Sequence, residues 1–113
     1  MEYLIRKGQT ALIWLDVTAN GLPLAEFDPD EIEFSFGGVQ YYLSNGDVFL
    51  DVDADCYAVF LTQEQTFALP STAPMQVRVL KDGQVGGTDI TYWRIGSSLS
   101  NAVLPNSGNE VVA

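Results

Sequence analysis

Four aspartates, Asp47, Asp51, Asp53 and Asp55, fall within nine residues and form the densest set of reactive-type groups in the sequence. Hard cations prefer oxygen ligands, and Asp51, Asp53 and Asp55 would share one face of an extended segment, so these three are the candidate calcium ligands. The glycine and the distal glutamate of a helix-flanked calcium loop are missing, and the competing reading is a solvated strand edge and turn. Cys56 is the only thiol. Without a histidine to activate it, it reads as a small core residue and not as a nucleophile. The absence of histidine also removes the commonest general base and the commonest transition-metal ligand at neutral pH. Gly37-Gly38 and Gly86-Gly87 lack the lysine and the following helix of a phosphate loop. No carboxylate pair stands out as a glycosidase dyad. Tyr41, Tyr42, Tyr92 and Trp93 are candidates for a glycan-binding aromatic platform, against the alternative of core and cross-strand packing. The sequence therefore predicts neither an enzyme nor a bound cofactor.

Charge narrows the partners. Fifteen acidic against five basic residues give a formal charge of −10 over 113 residues. Such a field repels phosphate backbones and anionic lipid heads, which disfavours nucleic acid and membrane, and it steers the chain toward basic protein surfaces. The N-terminal residues Met1 to Lys7 precede no long apolar stretch, so neither a leader nor a membrane span is expected. A single cysteine fits synthesis in a reducing cytoplasm. Hydrophobic residues make up 47% of the chain, enough for the interior of one packed domain.

The elements that would position these groups are strands, because two-residue alternation recurs and helical periodicity is nearly absent. Candidate strands cover residues 2–6, 10–18, 31–36, 39–43, 48–52, 56–61, 75–81 and 84–95. Ala11, Ile13, Leu15 and Val17 share one face of the second, with Leu12 and Trp14 on the other, so that strand is expected to be covered on both sides. Asn20-Gly21 signals a turn, and Pro23 argues for an irregular connection over 20–30. Ile32, Phe34 and Phe36 make the cleanest one-sided strand. Ser44-Asn45-Gly46-Asp47 predicts a hairpin, which makes a three-strand meander of the segments up to Leu61, with Val48, Leu50 and Val52 pointing inward. Thr62 and Gln65 fit a capping box and predict one short helical turn. Asp82-Gly83 is a further hairpin signal, and Gly86-Gly87 a bulge. The expected fold is an immunoglobulin-like β-sandwich of about seven or eight antiparallel strands over residues 1–96, followed by an arm over 97–113.

The ordered set of Lys7-Gly8-Gln9-Thr10, the meander, Leu61-Thr62-Gln63-Glu64-Gln65-Thr66 and the Val77-Arg78-Val79 strand resembles small virion proteins of tailed bacteriophages. In particular it is similar to the immunoglobulin-like domain at the N-terminus of phage upper baseplate proteins, over about residues 3 to 104. Ile95-Gly96-Ser97-Ser98-Leu99 matches the family's tail motif loosely. The resemblance implies a structural protein of the virion, either an accessory or decoration protein or a baseplate or tail component, made in the host cytoplasm. Its partners would be other virion proteins, with self-association into a homo-oligomer as an alternative. Leu99, Ala102, Val103, Leu104, Val111 and Val112 are the arm's candidate partner-binding residues. A carbohydrate-binding or calcium-stabilised adhesive module is the alternative function.

Overall fold

The computed structural model describes residues 5–100 and 102–104. Within them the chain is an all-β sandwich, its larger sheet curled, with two short helical turns. The strands are β1 (Ile5–Arg6), β2 (Ala11–Trp14), β3 (Thr18–Ala19), β4 (Leu22–Pro23), β5 (Glu31–Phe36), β6 (Val39–Tyr42), β7 (Val48–Asp51), β8 (Cys56–Leu61), β9 (Thr72–Lys81), β10 (Gln84–Gly87) and β11 (Thr91–Gly96); the helical turns are α1 (Leu24–Phe27) and α2 (Gln63–Phe67).

The large sheet runs β1-β11-β9-β5-β6, with β10 also paired to β9; the small sheet runs β2-β8-β7. Between them Ile32, Phe34 and Phe36 of β5, with Val77 beside them on β9, meet Val48, Val59 and Leu61 of the small sheet, all essentially solvent-free. Phe34 and Phe36 stack at 5.6 Å, and Trp93 meets Phe36 edge-on at 5.5 Å. Burying each such side chain stabilises the fold by roughly 1.5 to 3 kcal/mol, which makes the alternation along β5 the main specifier of the layers.

Several expectations hold. Asn20 and Gly21 both adopt positive φ, at 51° and 78°, closing a tight turn between β3 and β4. The capping box forms: the Gln65 amide N–H donates to Thr62 Oγ1 at 3.3 Å, and the Thr62 N–H donates to Gln65 Oε1 at 2.8 Å.

Other features differ. Residues 20–30 are not irregular throughout, because Pro23 pairs with Thr18 and α1 follows it, burying Leu24. Pro23 is tolerated there because a two-residue edge strand demands little of its missing N–H. The pairing is not wholly antiparallel, since β1 runs parallel to β11 with Ile5 opposite Ile95; of the first predicted strand, residues 2–4 lie outside the described residues. The segment 84–95 is broken in two, both parts pairing with β9; the break falls at Thr88, whose hydroxyl accepts from the Val77 N–H at 3.1 Å.

The predicted meander is also replaced. Ser44–Asp47 carries the chain from the large sheet to the small one, so β6 and β7 are not partners. Leu43 N–H donates to the Ile32 carbonyl and Ser44 N–H to Glu31 Oε1, which fastens the end of β6 to β5. Val48 then enters the interior on β7, while Leu50 is half-exposed at the sheet edge and Val52 lies exposed in the following turn.

The N-terminal and α2 motifs meet in space. Thr66, fully buried, accepts from the Gly8 N–H at 3.0 Å, and its own hydroxyl lies 2.8 Å from the Gln9 carbonyl as donor. Gly8 has φ +84°, and a Cβ there would lie 2.6 Å from the Phe67 ring, so both its backbone and the close approach require glycine.

Candidate functional site

The small sheet turns its second face outward, and that face is apolar. In register across it stand Leu12 opposite Phe60, then Trp14, Ala58 and Phe49 in a row, then Cys56 opposite Asp51. Leu12 is 40% exposed, Trp14 52%, Phe49 38% and Phe60 50%, whereas Ala58, flanked by Trp14 and Phe49, is fully covered. The expected cover on both sides of β2 is therefore not found. A two-layer sandwich has only one interior, and Ala11, Ile13 and Leu15 take it.

One hydrogen bond fixes the centre of the face. Trp14 Nε1 donates to Asp51 Oδ2 at 3.1 Å, reaching across β8 to β7. This bond, with the Ala54 N–H donating to the other oxygen, holds the Asp51 carboxyl below its usual range. The indole is thus held by its polar edge and leaves its ring to solvent.

The three candidate calcium ligands differ in their engagements. Asp51 is engaged by Trp14 and Ala54, while Asp53 and Asp55 are exposed in the β7–β8 turn. Among the described residues no group of three or more potential ligands is gathered around a common point. Cys56 is half-buried, and its thiol is pushed up by burial and then by the charges of Asp16, Asp51 and Asp55. A thiol so placed is a weak nucleophile.

The four aromatics chosen from sequence do not form one platform. Tyr41 is buried beside Phe34, and Trp93 packs on Phe36. Tyr42 and Tyr92 face outward on β6 and β11, two strands separated by β9 and β5. Tyr42 donates to Glu33 Oε2 at 2.9 Å, and Arg78 Nε donates to Glu33 Oε1 at 2.6 Å. Arg78 first, then Tyr42, keeps the Glu33 carboxyl below its usual range despite some burial.

The arm folds back in part. The Gln63 side chain brackets the Leu104 backbone, donating from Nε2 to its carbonyl at 3.0 Å and accepting its N–H at 2.8 Å. Ala102, Val103 and Leu104 remain exposed, and Leu99 is fully so. Val111 and Val112 lie outside the described residues. No helix among the described residues is long and apolar enough to cross a membrane.

The site missed at the sequence level was the outer face of β2 and β8. Its signal was present: Leu12, Trp14 and Phe60 occupy the positions that alternate with a complete inward set, Ile13, Val59 and Leu61. Fold and site together define a β-sandwich whose distinctive surface is a half-exposed aromatic and aliphatic sheet face. No protein-family model, curated protein or solved structure matches the chain.

Proposed function

We propose that this chain is a non-catalytic assembly module that docks on other proteins through the outward face of its small sheet. The carrying observation is the set Leu12, Trp14, Phe49 and Phe60, each between 38% and 52% exposed on one contiguous face. Apolar side chains grouped in this way on a small domain mark an interaction surface, whereas single exposed ones do not. Each has roughly 1 kcal/mol still to gain from full burial, since complete burial is worth about 1.5 to 3 kcal/mol. Trp14 supplies the large, held anchor that dominates such interfaces.

The setting follows from the motif resemblance: a structural component of a tailed-phage particle, as a decoration or a baseplate or tail protein, with other virion proteins as partners. The arm, with Leu99 and Val103 exposed, supplies a second contact. Mass spectrometry of purified particles should recover the chain, and Leu12→Ser/Phe60→Ser should fold while being lost from the particles. Incorporation of that variant at the unmodified level would overturn the docking reading, and particles without the chain would overturn the setting.

A further inference from the structure

The charges of this molecule are sorted between its two sheets. All five cations are Arg6, Lys7, Arg78, Lys81 and Arg94, and no lysine or arginine occurs from residue 8 to residue 77. Arg6, Arg78, Lys81 and Arg94 belong to β1, β9 and β11, strands of the large sheet, and Lys7 directly follows β1. The small sheet and its flanking turns carry Asp16, Asp47, Asp51, Asp53 and Asp55 and no cation. Asp16 and Asp55 line one depression with Trp14 and Cys56, so carboxylates and the exposed indole border the same space. The raised thiol of Cys56 reports the same convergence, with Asp16, Asp51 and Asp55 all contributing after burial.

Building on the docking reading, we infer that the small sheet's outer face takes a partner protein whose apolar patch is rimmed by lysines and arginines, and not a second copy of this chain. A twofold face-to-face pair would set Asp16, Asp51 and Asp55, which border Trp14, against their equivalents with no cation between them, and juxtaposed like charges suppress such pairing. Pairing onto the large sheet of another copy finds Arg78 already held by Glu33 and Lys81 by the Asp28 carbonyl, with Arg6 and Arg94 engaged as well, which leaves Lys7 beside β1. A foreign basic rim meets neither obstacle. Its guanidinium groups would lie over the Trp14 ring beside Asp16 and Asp55, combining cation–π attraction with charge-assisted hydrogen bonds.

The test uses the full chain, nitrogen-15 labelled, with three synthetic probes: a peptide alternating leucine and lysine, one alternating leucine and glutamate, and one alternating serine and lysine. The leucine–lysine peptide should shift the Trp14 indole N–H and the amides of β2, β7 and β8, and the other two should leave them in place. Its affinity should fall about tenfold in Asp16→Asn/Asp55→Asn, and comparably between about 0.05 and 0.5 M salt. The variant Asp82→Asn/Asp89→Asn, which removes the same charge elsewhere, should bind like the unmodified chain.

Equal shifts from both leucine peptides, or equal loss in the two charge variants, would overturn the basic-rim assignment while leaving the docking face standing. No shift on this face from either leucine peptide would overturn the docking face itself. Concentration-dependent dimerisation with the same footprint, or the same footprint from cellohexaose or chitohexaose, would overturn the inferred partner in favour of self-association or a glycan.

Discussion

The two outward faces of this sandwich are built from the same alternation but are finished differently. On the large sheet, outward positions carry Glu33, Tyr42 and Arg78 in adjacent register, and they satisfy one another through a 2.6 Å ion pair and a 2.9 Å hydrogen bond. On the small sheet the equivalent positions carry Leu12, Trp14, Phe49 and Phe60, bordered by aspartates. On the first face the polar side chains answer one another, and its exposed apolar residues, Val85 and Tyr92, stand on separate strands, β10 and β11. The second leaves grouped apolar area and unbalanced negative charge uncovered, and along the antiparallel pairs the two sheets share, the difference lies in the side chains.

The largest effect should come from the interior that both faces share. Phe34→Ala removes a solvent-free ring from between the sheets and should cost about 3 to 5 kcal/mol in denaturant unfolding. A loss as large from any outward position would break the distinction drawn between faces. Next comes the fastening of α2 to the N-terminal segment. Thr66→Val leaves the Gly8 N–H and the Gln9 carbonyl without their partner, and unfolding should become easier by about 1 to 3 kcal/mol. Neither outward face takes part in that fastening.

Smaller in stability, but decisive for the comparison, is the apolar face itself. Leu12→Ser and Phe60→Ser should each change unfolding by about 1 kcal/mol or less while docking is lost, because both are already half in water. The matching change on the other face, Glu33→Gln, should lower the melting temperature slightly and leave docking intact.

Acid titration gives the finest separation. Glu33 and Asp51 both have carboxyls held below their ordinary values of 4.5 and 3.8, by Arg78 and by Trp14 respectively. Their contribution is present above those values and is lost as the pH falls through the lower native ones. Melting temperature should therefore decline on acidification below that range, with a shallower decline in Glu33→Gln. An unchanged profile in that variant would remove Glu33 from the account.

Much of the fold could be read from residue order. Ile32, Phe34 and Phe36 announced an inward strand, Thr62 and Gln65 a capped turn, and Asn20-Gly21 a tight reversal, because each signal is local and its physics is completed within a few residues. The transfer of the chain between sheets at Ser44–Asp47 was not legible, since an Asn-Gly turn looks the same whether it closes a hairpin or changes layers. The candidate site was legible as composition and not as place. Leu12 and Trp14 were visible as a second apolar side of β2, but apolarity alone does not say whether a third layer covers it, and Phe49 and Phe60 join them only through the register of β7 and β8.

By itself, then, the sequence determined the strand class, the interior set and the excess of negative charge, all of which follow from periodicity and residue type. Tertiary structure alone decided that Trp14 meets Asp51 across an intervening strand, that Gly8 rests on Phe67 and Thr66, and that every cation stands apart from the apolar face. The physical reason is range. Alternation and capping act between near neighbours in the chain, whereas a surface is assembled from strands far apart in sequence, and its chemistry exists only once their register is set.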